Sequence, residues 1–433
     1  MGGEQRPRRH RGHAGHREDR DPARSGYAPV RPQRRRWRRE HDREPRSAQA
    51  RRRSGDGDGR ASRVFGGRRR RRRRGPERKR RQVCVAPQGL RVHRGDTAIP
   101  GFAESAQVRE AEADDEEEDP EEDAFGFIPN SQVEYTGFSA GGSWIDDDFY
   151  LGLAVADFQT NYGVVFHELE GHSHAAPGEE EPPISIDLDT KSLDVAGGLV
   201  APIEGIRSVD ARLRLTDYHH DEVGGGVVAT TFENKGYDLR IEAVHEPFGL
   251  FEGAFGFQSA FSDFQVSGEE GFLPNTFSAR QSLFVIEEVD LDPVTLELGG
   301  RFDYATVDSG GGGVFGDAVE RDFPGGAASV GVVYDVVKDQ ILSFDVSWSM
   351  RPPNYEELFA DGIHVGSGFY EIGDPDLDSE NALGLNLGYA GQFSIFDWSA
   401  NALYDRFWGF TFLQGTGETI GVVPVGRFFS TDA

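Results

Sequence analysis

Cysteine is nearly missing from this chain: Cys84 is the only one in 433 residues. A single thiol excludes a disulfide framework and any zinc centre built from several thiolates. Long apolar runs are missing too. No stretch approaches the ~20 consecutive apolar residues that a membrane-spanning helix requires. If such a chain enters a bilayer, it does so as a β-barrel. The basic N-terminus is followed by no apolar h-region, so no secretory signal is visible. Gly-x-Ser-x-Gly, His-Glu-x-x-His and a phosphate-cradling loop are all lacking. The sequence therefore assigns no enzyme activity, no catalytic residue and no cofactor. The runs Gly224–Gly226 and Gly310–Gly313 lie between strand patterns and read as loop tips.

The first part of the chain lacks other things. Residues 1–88 contain no Leu, Ile or Asn and one Lys, Lys79, while arginine runs unbroken from Arg68 to Arg74. One reading is a nucleic-acid-binding arm held by phosphate contacts. Neither interleaved aromatics nor an RNA-binding module accompanies the arginines, so no nucleic-acid partner is assigned. The favoured reading is a disordered or frame-shifted segment, because a GC-rich gene read out of frame yields Arg, Gly, Ala, Pro and His. His10, His13, His16 and His41 lie in it and receive no role.

Charge divides the chain at about the same place. Residues 1–100 carry 33 Lys+Arg against 11 Asp+Glu, whereas the remainder carries 14 against 63. The acidic part is long enough for one large domain and rich in strand- and loop-forming residues. The chain thus divides into three segments: 1–88, Arg-rich; 89–130, an acidic loop leading into the wall; and 131–433, the wall itself.

From about Ser131 the sequence alternates with period two. Leu342, Phe344, Val346, Trp348 and Met350 alternate with Ser343, Asp345, Ser347 and Ser349. Val209, Ala211, Leu213 and Leu215 alternate with Asp210, Arg212, Arg214 and Thr216. Tyr237–Ala243, Leu296–Tyr304 and Leu383–Tyr389 repeat the pattern. One face is apolar and the other carries full charges. A soluble sandwich and a membrane barrel both generate this rhythm. Three features favour the barrel. The strands run to about ten residues or more, as spanning requires. Short connections, such as Asp146–Asp148 and Lys338–Gln340, alternate with long polar ones at 161–184, 309–326 and 352–378. Aromatics (Trp144, Phe149, Tyr150, Trp398, Tyr404, Phe407, Trp408) gather near strand ends as an interfacial girdle does. The expected fold is all-β: a partial antiparallel transmembrane β-barrel of roughly thirteen strands, in the bacterial outer membrane and in contact with its lipid.

The stretch Arg351-Pro-Pro-Asn-Tyr-Glu-Glu-Leu-Phe-Ala-Asp-Gly-Ile-His364, continuing through Glu371-Ile-Gly-Asp-Pro-Asp-Leu377 to Glu380, resembles the TonB-dependent receptor barrel signature. Asp96-Thr-Ala-Ile-Pro-Gly, Ile128-Pro-Asn-Ser, Asn161-Tyr-Gly, Thr216-Asp-Tyr-His-His-Asp-Glu222, Thr231-Phe-Glu-Asn-Lys-Gly-Tyr237 and Gly271-Phe-Leu-Pro-Asn are similar to the zinc-uptake, ZnuD-like branch of that family. The resemblance covers residue 90 onward. It implies a barrel of twenty-two strands, a plug domain, and energising by the TonB–ExbB–ExbD complex. No plug is recognisable, and the sequence stops inside a segment resembling a strand. The polypeptide as written is therefore expected neither to fold independently nor to transport.

Metal-ligating residues concentrate in three places. His167, His172 and His174 share a long loop with Glu168, Glu170 and Glu179–Glu181, and imidazole with carboxylate suits zinc and similar ions. His219 and His220, followed by Asp221 and Glu222, end a strand pattern near the expected outer mouth. His364 lies in the loop after the Arg351-Pro-Pro element. In zinc-uptake receptors the resemblance implies a histidine and a glutamate from barrel loops, and His364 and Glu222 match best. A haem receptor would use a histidine in the same place. Glu110–Asp123 carries eleven acids in fourteen residues and reads as a solvated loop that attracts cations. His245, before Glu246-Pro247, reads as structural. The transported ligand expected is Zn²⁺, with haem or a ferric siderophore as the alternative. A passive porin-like or adhesin barrel is the rival of another class.

Overall fold

The computed structural model describes residues 82–106, 109, 124–165, 183–268, 271–337, 339–364, 367–393 and 396–432. All belong to the unit Gly75–Ala433. The arginine-rich residues 1–81, the acidic run Glu110–Asp123 and the loop histidines His167, His172 and His174 lie outside them.

The strands are β1 (Gln82–Arg94), β2 (Thr97–Phe102), β3 (Phe125–Ile128), β4 (Val133–Ile145), β5 (Phe149–Gly163), β6 (Ile184–Val200), β7 (Ile206–Gly224), β8 (Val227–His245), β9 (Phe251–Gly268), β10 (Thr276–Asp290), β11 (Val294–Ser309), β12 (Val319–Val337), β13 (Gln340–Arg351), β14 (Asp361–His364), β15 (Phe369–Ile372), β16 (Glu380–Phe393), β17 (Phe396–Trp408), β18 (Phe410–Ile420) and β19 (Val423–Thr431). One short helix, α1 (Tyr355–Phe359), comes after β13. Thirteen strands form a single sheet in the order β1-β4-β5-β6-β7-β8-β9-β10-β11-β12-β13-β16-β17. Every neighbour pair is antiparallel, as hairpin connections dictate. β1 begins at Gln82, inside the segment expected to be unstructured.

The pleat separates two environments. Leu151, Leu153, Val155, Leu215, Ile241, Leu283, Phe302, Val330, Phe344 and Leu387 point to one face and are exposed. The register sets them side by side: Val155 opposes Leu193, which opposes Leu215, and Phe344 opposes Leu387. A row of large apolar side chains turned away from the chain's own core is what a lipid-facing wall presents. Trp144 stacks edge-on against Phe149 at 5.5 Å beside the 146–148 turn, where an interfacial aromatic belongs.

The other face carries paired charges. Arg214 bonds both oxygens of Asp194, and Arg301 joins Asp303, Ser282 and Gln258 in one network. The strands outrun their apolar alternation at the long-loop ends. β5 continues to Gly163 and β12 starts at Val319, because the hydrogen-bond ladder persists where the pattern has given way to polar residues. The glycine-rich stretch after Glu222 is only a tight turn between β7 and β8.

Thirteen is odd, so β1 and β17 run in the same direction. An antiparallel barrel closes on an even number of strands. The sheet is thus a section of barrel wall.

Candidate functional site

The hydrophobic packing of the polar face sits at the long-loop end, around α1. Ala305, Val307, Phe323, Leu358, Phe359 and Leu377 form one buried cluster, and Phe232, Phe264, Phe272, Leu273 and Ala360 form another. Tyr355 and Phe428 pack against both. Five residues make a marginal helix, so α1 depends on its anchors. Asn354 caps it by accepting from the Glu357 amide, and the Glu357 carboxylate accepts from the Asn354 amide in return. Arg351 then grips Glu357 through two bonds of 2.9 and 3.0 Å and Glu380 at 2.7 Å. The Arg-Pro-Pro-Asn-Tyr-Glu-Glu segment is therefore a self-locking elbow. Gly373 closes it from the far side, donating its amide to Ala360 O at 2.7 Å. A Cβ at Gly373 would lie 2.6–2.8 Å from the backbone of Leu358, Phe359 and Ala360, so only glycine fits.

The elbow and the β14–β15 hairpin bring together Glu356, His364 and Glu371, whose ligand atoms all lie within 4.8 Å of one another. His364 and Glu371 are diagonal cross-strand neighbours on one face of the hairpin. The His364 Nδ1 stands 2.9 Å from Glu371 Oε1 and 3.7 Å from Glu356 Oε1. Phe272 stacks on the imidazole at 4.2 Å between ring centres and 12° between planes, fixing its plane.

Glu371 is 2% exposed, and its second oxygen, Oε2, is buried without a partner. A buried carboxylate left half-satisfied is costly. Burial pulls the His364 imidazole towards its neutral form, but the Glu371 hydrogen bond and the charges of Glu371, Glu356 and Glu222 outweigh it and raise its pKa above the ordinary value. Burial and the neighbouring Glu371 raise the Glu356 carboxyl in turn. Three acidic groups thus surround one imidazole. Its imidazole and carboxylate donors are of the types that suit zinc and comparable divalent ions.

The histidines of β7 divide between the faces. His220 and Glu222 point to the polar side. His220 stacks on Phe232 at 4.4 Å and bonds Tyr218, while Glu222 comes close enough to act on the charge of His364. His219 points the other way, with Asp221 at 3.4 Å and Glu233 at 3.9 Å. Of the described residues singled out in the sequence, Glu222 is the one whose charge acts on His364. Glu356 and Glu371 were not singled out.

A lipid-facing apolar row on one side of the sheet and paired charges on the other define a class: an outer-membrane β-barrel. The family model described as "TonB dependent receptor-like, beta-barrel" matches residues 94–430. The chain belongs to the TonB-dependent receptor β-barrel family, and its place is the bacterial outer membrane. Solved structures share the fold. The hemophore receptor HasR of Serratia marcescens, in complex with its hemophore HasA and heme, aligns with TM-score 0.57 at 15% identity over 80% of this chain and 54% of that one. The copper transporter OprC aligns with TM-score 0.61 at 12% identity over 81% and 52%. The FrpB iron transporter from Neisseria meningitidis aligns with TM-score 0.58 at 12% identity over 80% and 54%. The chain spans about half the length of the structures it matches.

Proposed function

We propose that this chain is the barrel wall of an energised receptor that imports zinc across the outer membrane. The observation that carries this reading is the Glu356–His364–Glu371 cluster, with a half-satisfied buried carboxylate at its centre. Ligand atoms set tetrahedrally about 2 Å from a zinc ion stand roughly 3.3 Å apart. The 2.9 and 3.7 Å separations around His364 Nδ1 straddle that value. An ion entering there displaces the Nδ1 proton and meets carboxylates on either side. Glu222 lies next to the cluster and His220 on the same wall, and His167, His172 and His174 supply a loop that gathers ions from outside. His219, outward-facing among Asp221 and Glu233, serves the same gathering. Import is driven by the TonB–ExbB–ExbD complex acting on a plug, and the wall itself performs no chemistry.

Haem or a ferric chelate is the second reading, favoured by the HasR and FrpB neighbours. The carboxylates crowded around His364 argue for a bare cation. A strain lacking the gene, grown under zinc chelation, tests the choice. The full-length gene should restore growth and a His364→Ala copy should not. Restoration of growth on haem, with no effect on zinc-limited growth, would replace zinc with haem.

A further inference from the structure

A second set of charges lies at the opposite end of the strands, on the face that meets lipid. His245 continues the outward row Leu239, Ile241, Ala243 of β8, and Glu287 continues Leu283, Val285 of β10. They bond across β9, His245 Nε2 standing 3.0 and 3.1 Å from the two Glu287 oxygens. Gly253 of β9 lies between them. A Cβ there would fall 2.5 Å from Glu287 Oε2 and 2.1 Å from Ile286 O, so the missing side chain makes room for the bridge. Beside it, Arg207 and Glu246 face each other at 3.7 Å, with side chains 40% and 53% exposed.

His245, Glu246 and Glu287 line a groove of about 470 Å³ together with Gly205, Phe248 and Phe251, and Arg207 stands at its edge through its contact with Glu246. Phe248 is 81% exposed and its neighbour Leu250 60%. Ionisable groups on a lipid-facing surface are costly and, where present, mark function. At the short-turn end they meet the leaflet that holds glycerophospholipids, at headgroup depth.

We infer that this groove binds the headgroup of a zwitterionic, primary-amine glycerophospholipid. Arg207 receives the phosphate. Glu246 receives the ammonium, and the exposed aromatics flank the glycerol and upper acyl chains. The loose Arg207–Glu246 pair presents one charge of each sign at the spacing such a headgroup offers, so each exchanges its partner without leaving a charge bare. The firm His245–Glu287 pair is the floor. A purely anionic lipid satisfies only half of this arrangement.

The test uses the full-length gene product in nanodiscs containing equal parts phosphatidylethanolamine, phosphatidylglycerol and phosphatidylcholine. Native mass spectrometry reads the lipid retained after release from the disc. The expected result is phosphatidylethanolamine retained about fivefold or more over either competitor. The preference should vanish in an Arg207→Gln/Glu246→Gln double variant. Equal retention of the three lipids by the unaltered protein overturns the proposal, and so does an undiminished preference in the double variant. Should that variant not fold, the competition with the unaltered protein decides alone. Neither residue belongs to the His364 centre, so failure here leaves the zinc reading standing.

Discussion

His364 Nδ1 lies 2.9 Å from Glu371 Oε1, and Glu371 is 2% exposed with its other oxygen unpartnered. This one contact ties a loop histidine to a buried acid and leaves the acid in want of a second positive partner. An incoming cation would supply that partner, and on this ground we propose that the two residues bind metal as a pair.

Glu371→Gln keeps the shape and removes the charge. Loss of a group that holds or orients a ligating histidine costs about 10–100-fold in metal affinity. Zinc titration by calorimetry on the full-length gene product should show a loss in that range, with His364→Ala losing at least as much. Unchanged affinity in Glu371→Gln would remove it from the site.

Acidification should release the ion early. Zinc needs the unprotonated imidazole, and the carboxylates raise the His364 pKa above its ordinary 6.5. Zinc affinity should therefore begin to fall at a higher pH than it would for a free imidazole, and the midpoint should move down in Glu371→Gln. Without the ion the sign reverses. A raised pKa stabilises the fold fully below the unfolded value and fades as pH rises through the folded one. The ion-free hairpin should accordingly resist proteolysis better at pH 6 than at pH 8, and a flat profile would contradict this.

Arg351 holds Glu357 and Glu380, each 8% exposed. Replacing it by methionine strands both acids, a change that costs about 3 kcal/mol for a buried pair. Limited proteolysis should then cut within 352–379 while the sheet remains resistant. Protection equal to that of the unaltered protein would show that the elbow holds without its clamp.

The lipid face is testable by position. Leu213→Arg, in the apolar row of β7, should destabilise membrane-inserted protein by about 2–4 kcal/mol, as arginine at mid-bilayer does. His219→Arg, four residues beyond Leu215 on the same face, should cost much less, because Asp221 and Glu233 stand beside it above the apolar band. Unfolding from lipid vesicles by denaturant measures both. Equal costs would mean the apolar band is misplaced.

Much of the wall was legible in the sequence because period-two alternation is imposed locally: β7, β8, β11, β13 and β16 each carry it in their own residues. Strand ends were not, since β5 and β12 continue into glycine- and charge-rich stretches where the alternation is too short to read. The opposite facing of His219 and His220 comes from the pleat, yet their adjacency hid it. His364 stood out through resemblance. Glu356 and Glu371 did not, because two carboxylates among so many carry no signal until a capped helix and a hairpin bring them together. The Asn354-x-x-Glu357 capping box was the clue that a helix begins there, which turns Glu356 inward.

We propose that Glu356, His364 and Glu371 together ligate a zinc ion. X-ray absorption spectroscopy on the zinc-loaded full-length gene product tests this directly. One imidazole nitrogen and carboxylate oxygens are expected at about 2.0–2.1 Å, with the nitrogen scattering lost in His364→Ala. A shell of water oxygens alone, or one unchanged by that substitution, would contradict it.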